Sequence, residues 1–75
     1  MKISADKITL IEEDMEEYTN RYSKRDVLAM ALDFSFECFG KFYEAGDYII
    51  ISRGVRLGCT KKNFANDYER RQNDH

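Results

Sequence analysis

Proline and tryptophan are absent from the 75 residues, and histidine occurs once, at His75. Without proline the backbone has no fixed kink. The four glycines fall late, at Gly40, Gly46, Gly54 and Gly58, so nothing interrupts the first half of the chain. One histidine at a fraying end offers no fixed general base or metal ligand, which leaves Ser/His and Cys/His nucleophile pairs without a partner. Glycine-rich phosphate loops, EF-hand spacing and zinc spacing are also missing. The expectation is a non-enzymatic protein with no cofactor and no metal.

Other shortages narrow the class. Residues 1–25 hold no basic flank followed by an apolar run, and no stretch is long enough for a membrane span, so a cytoplasmic protein with no membrane partner is expected. Cys38 and Cys59 have no CxxC spacing and read as free thiols in the core; a disulfide between them would need an oxidising compartment. Apolar residues make up 43% and charged residues 35%, a globular mixture, and the length suits one small domain over 1–75. A balance of 14 acids and 12 bases, net −2, gives no bulk attraction to polyanions.

The apolar pattern predicts an α+β fold with two N-terminal helices packed on a β-hairpin and a short C-terminal helix. Ile8, Ile11, Met15, Tyr18 and Tyr22 recur at steps of three and four, one stripe of a helix over 4–22 with Ser4 as its N-cap and Leu10 off the stripe. Lys7 to Ile11 is also β-branched enough for a short strand. Ser23-Lys24-Arg25-Asp26 fits a capping box opening a helix over 24–45. On that helix Val27, Leu28, Ala31, Leu32, Phe34, Phe36, Cys38, Phe39, Phe42 and Tyr43 fill an arc of roughly 200°, and Gly46 stops it. Tyr48 to Ser52 and Val55 to Cys59 flank Arg53-Gly54 as a hairpin over 48–59, with Tyr48, Ile50, Ser52, Val55, Leu57 and Cys59 on the face that meets the second helix. Thr60 caps a helix over 61–71, anchored by Phe64 and Tyr68, and 72–75 fray.

Charge is uneven. Residues 1–22 hold six acids and three bases, whereas 48–75 hold three acids and six bases. The first functional reading is a small intracellular regulator or inhibitor that binds a partner protein through an acidic helix face, Glu12, Glu13, Glu16 and Glu17, whose rows of carboxylates can imitate nucleic acid. The alternative is a dimeric DNA- or RNA-binding regulator using a basic hairpin with Arg53, Arg56, Lys61 and Lys62. A strand at 7–11, a helix, and then Ser23 to Leu32 superficially resemble the ribbon-helix-helix repressors. That resemblance implies a DNA-binding dimer and belongs to the same alternative, although only Lys2 and Lys7 would put charge on the ribbon. A third surface is apolar: Phe36, Phe39 and Tyr43 are candidates for a homodimer or hydrophobic interface. The bland counterparts are a solvated acidic face, an edge hairpin charged against aggregation, and an aromatic-rich core.

Overall fold

The computed structural model describes residues 3–71 and is built of strands. In chain order these are β1 (Ile3–Ser4), β2 (Glu16–Asn20), β3 (Asp26–Ala31), β4 (Phe36–Cys38), β5 (Lys41–Tyr43), β6 (Tyr48–Ser52), β7 (Val55–Cys59), the helix α1 (Lys61–Asp67) and β8 (Tyr68–Arg70). Five of the strands form one sheet in the order β7-β6-β3-β2-β8, and the other three form a second in the order β1-β4-β5. All pairings are antiparallel except β1 with β4.

The α+β expectation of two N-terminal helices is therefore wrong, and the physical reason lies in β3. Along its length Val27 and Ala29 face α1, in a cluster with Ile50 and Phe64, while Leu28 and Met30 face the second sheet. A strand covered on both sides loses the apolar–polar alternation that marks a half-buried strand, and Val-Leu-Ala-Met-Ala then reads as a helix. β6 is the same case, with Ile49 and Ile50 both buried on opposite faces.

The expected helix over 24–45 is replaced by β3, β4 and β5. Its capping box is instead a connecting loop, in which the Ser23 hydroxyl accepts from the Arg25 N–H (3.3 Å) and the Asp26 carboxylate accepts from the Thr19 hydroxyl (2.7 Å). Asn20 shapes that loop by accepting from the N–H groups of Tyr22 and Ser23, both at 2.9 Å. The expected helix over 4–22 breaks into β1, single 3-10 turns at Ala5–Lys7 and Glu12–Asp14, and β2; Ser4 makes no side-chain cap. The strand read as an alternative at 7–11 is absent too, and with no helices at 12–22 or 24–45 the ribbon-helix-helix resemblance has no structural counterpart. Gly46, expected to stop a helix, sits at φ +100° in the turn between β5 and β6 and donates its N–H to the carbonyl of Leu32 (2.7 Å).

The hairpin over 48–59 is present as β6 and β7, joined by a type I′ turn with Arg53 at φ +54° and Gly54 at φ +79°. One face, with Tyr48, Ile50 and Cys59, packs on α1 rather than on the missing second helix. Thr60 caps α1 by accepting from the Asn63 N–H (3.2 Å), and Asp47 accepts from the Lys61 N–H (2.9 Å). The expected helix over 61–71 ends early, at Asp67, because Tyr68–Arg70 continue as β8 and pair with β2. Phe64 of α1 stacks between Tyr48 (3.8 Å) and Tyr68 (5.0 Å) with Tyr18 edge-on (4.7 Å), which glues the helix to its sheet. The frayed tail expected at 72–75 lies outside the described residues.

The second sheet covers the other face of the large one. Phe36 and Tyr43 stack at 5.1 Å beneath it, in a cluster with Ile49, Leu32, Met15 and Ile8. It also closes the outer edge of β7, because the Tyr43 hydroxyl donates to the Gly58 carbonyl (3.2 Å) and the Cys38 thiol to the Arg56 carbonyl (3.5 Å). Arg56 ties in the N-terminal arm: its Nη1 donates to the carbonyls of Ala5 and Ile8, both at 2.6 Å.

Candidate binding groove

Two depressions flank the N-terminal arm. The first, about 650 Å³, lies between the two hairpin turns, with Asp6, Glu37, Phe39, Gly54 and Arg56 among its lining. Two of its charged groups are already engaged: Arg56 holds the arm, and the Ser4 hydroxyl donates to Asp6, whose carboxyl is thereby held below its ordinary range. The second, about 400 Å³, runs between the 8–11 segment and the loop that follows β3. Ile8, Leu10, Ile11, Met30, Leu32 and Phe34 make it apolar, and its charged lining residues, Asp14 and Asp33, are both carboxylates.

Local structure explains why this groove stays open. The 3-10 turn Glu12–Asp14 closes on the carbonyl of Ile11, which accepts from the Asp14 N–H (2.9 Å), so the arm turns back and carries Ile11 to the surface at 56% exposure. Leu32 is pinned opposite by two backbone bonds, its N–H to the Asp47 carbonyl (3.0 Å) and its carbonyl from Gly46. Glu12 and Glu13 lie exposed on the same turn, and neither they nor Asp14 and Asp33 make an ion pair among the described residues. In an exposed setting, uncompensated carboxylates give a one-sign field that favours cations at the rim.

The four acids expected on one helix face are thus distributed differently. Glu12 and Glu13, at the turn, have no ion pair among the described residues, while Glu16 and Glu17, adjacent on β2, point to opposite faces of the sheet. Each has an internal partner: Glu16 pairs with Arg70, and Glu17 with Arg71, which also reaches Asp26 at 3.5 Å. Those contacts raise the proton affinity of Arg71, Glu17 first and Asp26 second.

The four bases do not converge either. Arg53 tips one hairpin turn, Arg56 is spent on two carbonyls, and Lys61 and Lys62 begin α1 at the far end of β7. Of the apolar candidates, Phe36 and Tyr43 are core residues, and Phe39 is 80% exposed. Cys38 and Cys59 are both free thiols, and burial pushes each up from its ordinary range.

No protein-family model, characterised protein or solved structure matches the chain. Sequence reasoning missed Asp14, Met30, Asp33 and Phe34 as groove residues, because it assigned Asp14 to one helix and the other three to another. The one available signal was Leu10, which fell off the helical stripe beside exposed acids. Among the described residues, no helix is long and apolar enough to cross a membrane.

Proposed function

We propose that the protein is a small non-enzymatic binding protein, a regulator or inhibitor of a partner protein, and that it holds a basic, apolar segment of that partner in the groove beside the Glu12–Asp14 turn. The observation that carries this reading is the groove's lining: apolar side chains on the floor, and carboxylates as its charged groups. Such a surface selects a side chain with apolar bulk next to a Lys or Arg, since the floor gains from buried area and the rim from opposite charge. Glu12 and Glu13 extend the acidic field and act mainly on association rate and salt dependence, the usual behaviour of rim charges.

The test is a titration of isotope-labelled protein with a capped Lys-Phe-Lys peptide and its Glu-Phe-Glu counterpart, read from amide and methyl shifts. The lysine peptide is expected to move resonances of residues 8–11, 14 and 30–34, more weakly as salt rises. Equal responses to both peptides, or shifts confined to other residues, would overturn the reading.

A further inference from the structure

Phe39 poses a question that folding does not answer. It occupies the first position of the type I′ turn between β4 and β5, at φ +51°, with Gly40 following at φ +76°. Turns of this type favour Asn, Asp or Gly there, because a side chain in the left-handed region is strained, and a bulky aromatic is a poor choice. Its ring makes no compensating burial, being 80% exposed. Lys41 follows immediately, exposed and without an ion pair among the described residues, its ammonium 5.5 Å from the Tyr43 ring. The tip therefore presents one aromatic ring and one cation on a tight, two-residue turn.

Those are the features that the acid-rimmed groove selects. The groove offers Leu10, Ile11, Met30 and Phe34 to an apolar group, and Asp14 and Asp33 to a cation. Tip and groove are built from different residues, and the tip's own depression is the other one, which Phe39 and Gly40 line. Phe39 gains no burial in its own molecule, Lys41 has only the Tyr43 ring beside it, and Asp14 and Asp33 have no ion pair among the described residues.

We propose that the Phe39-Gly40-Lys41 tip of one molecule seats in the acid-rimmed groove of a second copy, with the ring on the apolar floor and the Lys41 ammonium against Asp14 and Asp33. The proposal rests on the groove reading given above and adds a particular occupant. Because tip and groove are different surfaces, each added copy leaves one tip and one groove open, and assembly continues unless the rotation closes a ring, which two copies do if each seats its tip in the other's groove. One aromatic anchor and one exposed ion pair make an interface well below the roughly 1,200 Å² of standard complexes, so association belongs to the weak, salt-sensitive class.

The experiment is sedimentation of the full chain from about 10 μM to 1 mM, the range in which weak contacts populate. Wild type is expected to gain mass with concentration, beyond the dimer where no ring closes, and to lose association in high salt. Phe39→Asn removes the ring at a position whose φ asparagine tolerates. Ile11→Lys puts a cation into the groove at an exposed position, and Asp33→Lys is its second, independent version. Each variant alone is expected to stay monomeric. An equimolar mixture of Phe39→Asn with either groove variant restores one good tip and one good groove, and so forms a dimer that grows no further. A wild-type mass independent of concentration, or a mixture that stays monomeric, overturns the proposal. If wild type is monomeric while the Lys-Phe-Lys peptide still moves groove resonances, the second-copy occupant falls and the groove reading stands; if neither occurs, both fall.

Discussion

Replacing Gly58 by alanine is expected to destabilise the protein severely, although alanine in place of a strand glycine ordinarily gains about 0.5–1 kcal/mol from the smaller backbone entropy loss. The backbone of Gly58 is ordinary extended chain, so conformational strain is not the issue. The obstacle is Tyr43, since a Cβ at position 58 would lie 2.5 Å from its Cζ and 2.9 Å from its Cδ2. The ring itself must move. Moving it breaks the hydroxyl bond to the Gly58 carbonyl, roughly 0.5–1.5 kcal/mol. It also disturbs the stack on Phe36, worth roughly another 0.5–1.5 kcal/mol. Overpacking of this kind adds about 1–3 kcal/mol. After subtracting the backbone gain, a net loss of about 1–5 kcal/mol, centred near 3, is expected, against a total of roughly 4–11 kcal/mol for a chain of this size.

Urea unfolding followed by far-ultraviolet circular dichroism reads this as a fall of the midpoint by about 1–3 M at unchanged slope. Tyr43→Leu gives the double-mutant cycle: it removes the obstructing ring, so the pair is expected to be less destabilised than the sum of the single changes by about 1 kcal/mol or more. A Gly58→Ala protein as stable as wild type would refute the packing argument, because it would mean that Tyr43 does not close the edge of β7.

Three further outcomes are expected. Arg56→Met keeps the aliphatic stem but deletes both bonds to the arm, at about 1.5–3 kcal/mol for a hydrogen bond to a charged group; hydrogen exchange should accelerate at Ile8 before it does in β6, and uniform acceleration would contradict the role assigned to Arg56. Phe39→Asn, read by thermal unfolding, should raise stability by about 0.5–1 kcal/mol through relief of the left-handed φ, and a loss of more than 1 kcal/mol would show that the ring supports the fold. Stability should also fall as pH rises above about 9. Burial raises Tyr18, Cys38, Tyr43 and Cys59 above ordinary values of 9.0 for cysteine and 10.0 for tyrosine, so the unfolded chain releases these protons first and the folded state is favoured only while they stay bound. An unchanged urea midpoint between pH 7 and pH 10 would contradict this.

What the sequence reveals of this fold follows from where burial is one-sided. The β6–β7 hairpin is legible because Arg53-Gly54 marks a two-residue turn and its flanks are β-branched, and Thr60 is legible as a cap because capping is local chemistry. β3 is not, because its two covered faces remove the period-two signal, and Ala, Leu and Met favour helices intrinsically. The β4–β5 turn left a fainter trace: Phe36, Cys38 and Tyr43 are buried around Phe39-Gly40, a hairpin pattern hidden by a phenylalanine where asparagine is the usual marker. At the groove, the acidity of Glu12 and Glu13 was visible, but its apolar floor was not, because Leu10, Met30 and Phe34 are brought together only by the folded arm. Nor could the internal pairing of Glu16 and Glu17 be read, since Arg70 and Arg71 reach them through β8, which the pattern assigned to a helix.

The pairing of β2 with β8 also governs when this protein can fold during synthesis. Arg71 meets Glu17 across 54 positions, and Arg56 meets Ala5 across 51. At about 5–20 residues per second, the ribosome needs roughly 3–11 s to add the residues separating Glu17 from its partner. Until then β2 has one free edge, and the N-terminal arm lacks its anchor for nearly as long. The emerging chain therefore presents Tyr18 and β3 to the cell without their covering elements, and this interval is when a holdase chaperone would find most to bind.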